Sequence, residues 1–192
     1  VVEKNGGKVV GRVRHPFPGT DFSSFLLQAQ SSKAKIIGLA NAGSDTINSI
    51  KQASEFGITR SGQNLAALLA FITDVHALGL ATAQGLIMTE AWYWDLNDAN
   101  REFAKKFAPQ FKGVHPTMVH AGVYSAVTHY LKAVEALKSD ADGKAIVAKM
   151  KEMPTDDKLF GKDGADGVVL LETQQDRVAL LRRDEHAANE VL

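Results

Sequence analysis

The residues with the most chemical potential lie in three short polar loops, each following an apolar run. KIIGLA opens into Asn41-Ala42-Gly43-Ser44-Asp45, NLAALLAF into Ile72-Thr73-Asp74-Val75-His76, and GLIMTEAWYW into Asp95-Leu96-Asn97-Asp98. In the first loop Gly43 permits a backbone angle that other residues resist, and the amides of a helix opening after Ser44 suit a carboxylate. The same loop also reads as plain helix capping by Ser44 or Asp45, and Asp74 as the cap of a helical turn around Val75 to Leu80. These residue types suit a small polar ligand and do not by themselves point to catalysis. Ser23-Ser24 and Ser31-Ser32 have no positioned base, and no nucleotide-binding or nucleophile-elbow motif occurs. His76 has no partner at metal-ligand spacing, and His115, His120 and His129 form no H-E-x-x-H pattern, so neither a metal nor a cofactor is expected.

The elements that would position these loops alternate. Strands are expected at Lys8 to His15, Lys35 to Ala40, Asn64 to Phe71 and Gly85 to Trp94. Helices are expected from Thr20 or Asp21 to Ala34, from Ser44 or Asp45 to Phe56, and from Asn97 to Phe111, each with a polar cap and one apolar face. Such alternation implies an α/β fold, a doubly wound and mainly parallel sheet with helices on both faces. Ligands then sit at the carboxyl ends of the strands, where the three loops are. Trp92, Tyr93 and Trp94 close the last strand, and at least one tryptophan is expected in the core.

After Pro116 two helices follow without an intervening strand, Val119 to Leu137 and Gly143 to Met153. We therefore divide the chain into a lobe at 1–115, trailing helices at 116–160 and a charged, frayed tail at 161–192, with one short strand near Val168 to Glu172. VVEKNGG reads as the last turn of a helix whose beginning precedes Val1. The 192 residues carry 22 Lys+Arg against 22 Asp+Glu, a balance that favours neither nucleic acid nor an anionic membrane. Cysteine is absent, which removes disulfides and thiolate metal sites.

The order K-V-V-G-x-V-R-H-P, D-F-S-S-F-L-L-Q-A, K-I-I-G-L-A-N-A-G-S-D-T and P-T-M-V-H-A-G-V-Y-S-A-V-x-H-Y-L-K-A-V resembles the periplasmic substrate-binding proteins of ABC importers, of the branched-chain amino acid type. The resemblance covers about residues 1 to 160 and falls mainly on the second of the family's two lobes. It implies a non-enzymatic, periplasmic receptor that captures an amino acid, an amide or an aromatic carboxylate by lobe closure and delivers it to a membrane permease. It places ligand contacts at Asn41, Ala42, Gly43, Ser44 and Asp45, at Asp74 and at His120. By position Asp74 matches the acidic residue that holds a ligand ammonium, and Ser44 stands at or beside a position often filled by an aromatic ring. It also implies a first lobe before Val1, so that helix 119–137 would meet that lobe or a second copy of the chain. Three other readings stand beside this one: a cytoplasmic ligand-sensing regulator on the same fold, a fragment without ligand binding of its own, and a doubly wound enzyme domain.

Overall fold

In a computed structural model of the chain, residues 1–162, 169–173 and 178–181 are described. They divide into two compact units, residues 1–89 with 170–173 and 178–181, and residues 90–162 with 169.

The first unit is built on a sheet of order β1-β2-β3-β6-β7, comprising Ile36–Leu39, Asn64–Ala67, Ile87–Glu90, Val169–Thr173 and Val178–Leu181. β1, β2 and β3 run parallel, with Leu39 beside Ala67 and Ala67 beside Met88, so all three strands end at one edge. Bonds from Asn64 N–H to Lys35 O (2.9 Å) and Leu68 N–H to Leu39 O (3.0 Å) extend the β1–β2 ladder at both ends. β6 and β7 pair antiparallel, which places a strand in the tail expected to fray.

Helices α1 (Ser23–Ser31), α2 (Ser44–Glu55), α3 (Ile72–Leu78) and α4 (Leu80–Ala83) flank this sheet. Phe22 and Leu26, one turn apart, and Ile50 and Ala53 on α2 are buried with Leu39, Leu65 and Met88. Two glutamines reinforce the packing: the Gln52 amide accepts from Phe22 N–H (2.8 Å) and donates to Thr20 O (2.9 Å), and Gln63 Nε2 donates to Ala34 O (2.8 Å).

The strand expected at Lys8 to His15 does not form. A strand exists only where another offers a ladder, and Val9, Val10 and Val13 are exposed with neither face covered. β1 alternates exposed and buried rather than being buried on both faces, because Ile36 is open to solvent.

The second unit contains α5 (Asp98–Phe107), α6 (Met118–Leu137), α7 (Gly143–Glu152) and the hairpin β4–β5 (Asp156–Asp157, Gly161–Lys162). Each helix has a side-chain cap: Asn97 Oδ1 accepts from Asn100 N–H (2.9 Å), Thr117 Oγ1 from Val119 N–H (3.3 Å) and Asp142 Oδ1 from Lys144 N–H (2.9 Å). The units divide at Thr89–Glu90. Aromatic packing explains this: Phe103 of α5 meets Trp92 at 5.8 Å and Tyr124 of α6 at 5.1 Å, binding α5 to the helices that follow it. β3 ends at Glu90, so Trp92 to Trp94 leave the strand instead of finishing it. Trp92 is buried, as expected of one tryptophan, and forms the core with Ala121 and Leu159.

Asp157 pins the hairpin to α6, accepting from the Ser125 hydroxyl and from the amides of Leu159 (2.7 Å) and Phe160 (2.9 Å). Burial pushes its pKa up, but these donors together outweigh burial and hold it below the ordinary carboxylate value. A group lowered in the folded state stabilises it above the unfolded pKa, and that contribution disappears as pH falls through the folded value. The thermal midpoint of wild type should therefore exceed that of Asp157→Asn at neutral pH, with the gap closing in acid. A gap independent of pH would refute this.

Candidate functional site

Because β1, β2 and β3 end together, the loops after β1 and β2 leave the sheet at the same edge. The loop after β1 is closed upon itself. Asn41 Nδ2 donates to Ser49 Oγ (2.9 Å) while its Oδ1 accepts from Thr46 Oγ1 (3.0 Å), and Ser49 Oγ in turn donates to Asp45 O (2.8 Å). Asn41 thus ties the loop to the first two turns of α2. Gly43 precedes the helix at φ 58°, ψ −131°, a conformation that side chains resist; nothing lies within 4 Å of the space a Cβ would take. The need for glycine here comes from the backbone.

Gly43 and Ser44 are exposed, Ala42 is half-buried, and Asp45 is fully buried. Both Asp45 carboxylate oxygens accept from Gly19 N–H at 3.2 Å, and His15 Nδ1 stands 3.9 Å away. His15 donates from Nδ1 to Pro16 O at 2.7 Å and packs edge-on against Phe22 at 4.9 Å. The carboxylate sits in the first turn of α2, where the helix dipole favours a negative charge. Asp45 therefore fastens the 16–19 turn to α2 from below the loop, leaving Gly43 and Ser44 as its outward face. Neither His15 nor Gly19 was expected from sequence, since a contact 26 residues away has no local signature.

Asp74 is the third residue of α3, and its carboxylate accepts from Phe71 N–H at 2.8 Å. The structure thus contains the capping role, and a carboxylate accepts more than one bond, so a second donor can be served. His120 lies in the second unit, where Nδ1 accepts from Thr117 N–H at 3.0 Å and the ring meets Phe107 at 4.8 Å. It closes the first turn of α6. The structure brings the 41–45 loop and Asp74 to one edge of one sheet and places His120 in the other unit.

The family model described as "Periplasmic binding protein" matches residues 1–176. A solved periplasmic binding protein from Burkholderia mallei is 47% identical, with a TM-score of 0.80 over 94% of this chain and 51% of its own. A branched chain amino acid ABC transporter periplasmic ligand-binding protein from Burkholderia xenovorans is 35% identical, with a TM-score of 0.77 over 94% of this chain and 52% of its own. A solute binding protein from R. palustris, solved with benzoate, has the same fold at 23% identity and a TM-score of 0.75, over 91% of this chain and 50% of its own. The chain spans about half the length of these relatives. Curated proteins give no match.

Proposed function

The chain belongs to the periplasmic binding protein family, and from that premise we propose that it is the ligand-capturing part of an ABC importer, a binder and not an enzyme, working in the periplasm. The observation that carries this reading is the shared edge of β1 and β2, with Gly43 and Ser44 exposed at the head of α2 and Asp74 at the head of α3. A ligand carboxylate meets the first amides of α2 and the Ser44 hydroxyl, and a ligand ammonium meets Asp74. Relatives named as binding a branched-chain amino acid or benzoate support an amino acid or an aromatic carboxylate as the ligand class. Capture proceeds by closure of two lobes, and the closed form is handed to the permease. Among the described residues no helix is long and apolar enough to cross a membrane.

A thermal-shift panel of amino acids and aromatic acids, run on the protein at the relatives' full length, tests this. One class should raise the midpoint, and Ser44→Glu should abolish the rise by setting a like charge against the ligand carboxylate. If no member of either class stabilises the protein, the reading fails.

Helix α6 supports a partner as well. Val119, Val123, Val127, Tyr130 and Leu131 recur along it with 40 to 61% of their surface exposed, a continuous apolar face. The chain alone should self-associate through this face, and Val123→Glu combined with Val127→Glu should return it to a monomer. Light scattering that finds wild type monomeric would contradict this.

A further inference from the structure

The loops at 41–45 and 72–76 leave the carboxyl ends of β1 and β2, and a separate cleft lies at the amino ends of the same two strands. Lys35 directly precedes β1 and Gln63 directly precedes β2. Because the strands are parallel, the two residues arrive side by side, and Asn64 N–H donates to Lys35 O at 2.9 Å. Two turns supply the other walls. The chain leaves α1 through Lys33 at φ 54°, and it leaves the 3-10 turn Thr59–Ser61 through Gly62 at φ 94°. The cleft between them measures about 380 Å³ and is bounded by Gln30, Lys33, Lys35, Ser61, Gly62 and Gln63. That volume is within the range of small-molecule sites, roughly 300–1,000 Å³.

One buried group in this cleft is left with an unused bonding position. Gln63 is 6% exposed, and its side-chain nitrogen gives both hydrogens to main-chain carbonyls, Ala34 O at 2.8 Å and Ala29 O at 3.3 Å. Those two acceptors fix which end of the amide is the nitrogen. The other end is the oxygen Oε1, which accepts no bond among the described residues. A nearly buried acceptor without a donor is a hydrogen bond that a ligand hydrogen can complete. The charged groups are two ammoniums. Lys33 and Lys35 are exposed and make no ion pair among the described residues, and no acidic side chain lines the cleft. α1 has no acidic residue either. A lysine just past a helix complements the helix dipole, which accounts for Lys33 but not for Lys35.

Two positive charges call for a compact dianion, and the Gln63 oxygen calls for a hydrogen on that same ligand. Monohydrogen phosphate has both. We propose that this cleft binds a phosphate group that retains a hydroxyl hydrogen, with Lys33 and Lys35 as its charge partners and Gln63 Oε1 accepting from its P–O–H. The site lies within residues 30–63 and is independent of the importer reading. Sulfate has the same shape and charge at neutral pH but no hydrogen to donate, so it loses the bond to Gln63.

The test is an NMR titration of the isotope-labelled chain with inorganic phosphate at constant ionic strength. The Gly62 amide and the Gln63 side-chain amide should shift saturably, while the Gly43 amide at the opposite edge stays in place. Sulfate should bind at least about fivefold more weakly. Lys33→Ala and Lys35→Ala, both exposed changes, should each weaken phosphate by about fivefold, the upper scale of one exposed ion pair. The double variant should show no saturable shift, with the rest of its spectrum unchanged. Sedimentation with phosphatidylcholine vesicles containing phosphatidate separates the two sources of such a phosphate. Co-sedimentation that the double variant abolishes assigns the cleft to a lipid headgroup; no co-sedimentation, with the phosphate shift retained, assigns it to a soluble phosphate. The proposal is overturned by the lack of a saturable shift at Gly62 and Gln63, by a shift that survives in the double variant, or by sulfate binding as tightly as phosphate.

Discussion

Asp74→Ala should weaken the binding of leucine by about 2 to 5 kcal/mol, the cost of leaving a buried ammonium without its partner. Isocaproate, which is leucine without the ammonium, should bind mutant and wild type nearly alike. The structure adds a complication, because the Asp74 carboxylate also accepts the Phe71 amide that opens α3. Alanine therefore removes a cap as well, costing about 1 kcal/mol of stability. Asp74→Asn separates the two roles: its side-chain oxygen still accepts from Phe71 N–H, while the charge that attracts an ammonium is gone. Calorimetry at the relatives' full length should find Asn nearly as stable as wild type yet close to alanine in its loss of leucine affinity. Asn and wild type binding leucine equally would leave Asp74 as a cap alone.

Trp92→Ala should destabilise the second unit by about 3 to 5 kcal/mol, the range for removing a large aromatic from a core. Trp92 is 1% exposed, packs edge-on against Phe103, and among the described residues shares its core with Ala121 and Leu159 as fully buried apolar partners. So small a core has few side chains able to collapse into the space vacated, which places the loss toward the upper end. Trp92→Phe should cost much less. It keeps a ring against Phe103 and sacrifices no hydrogen bond, since Trp92 Nε1 has no acceptor among the described residues. Urea unfolding followed by circular dichroism measures both variants, and a loss below about 1 kcal/mol for alanine would mean that the indole holds no cooperative core.

Features governed by short-range physics were legible in the sequence. The alternation of elements, the cap at Asn97 and the apolar faces of α2 and α6 depend on residues within one or two turns, so local pattern suffices. The parallel sheet followed from that alternation, because parallel strands need crossover helices between them. The motif order carried the family itself. At Asp74 the cap read from local pattern is present, while the ammonium-binding role implied by the family awaits a ligand.

Contacts between distant residues decided the remainder. Asp45, read as a helix cap or a ligand contact, is buried beneath the loop, where Gly19, 26 residues earlier, donates to it. His120 takes its partners, Phe107 and Thr117, within the second unit. The valines at 9, 10 and 13 have strand propensity, and without a neighbouring ladder propensity does not make a strand. The Trp94–His115 stack joins residues 21 apart through the turn at Gly113. In the amino-acid sequence alone are the elements, their order and the family; which side chains meet was settled by tertiary packing, because buried charges and stacked rings take their partners from wherever the chain returns.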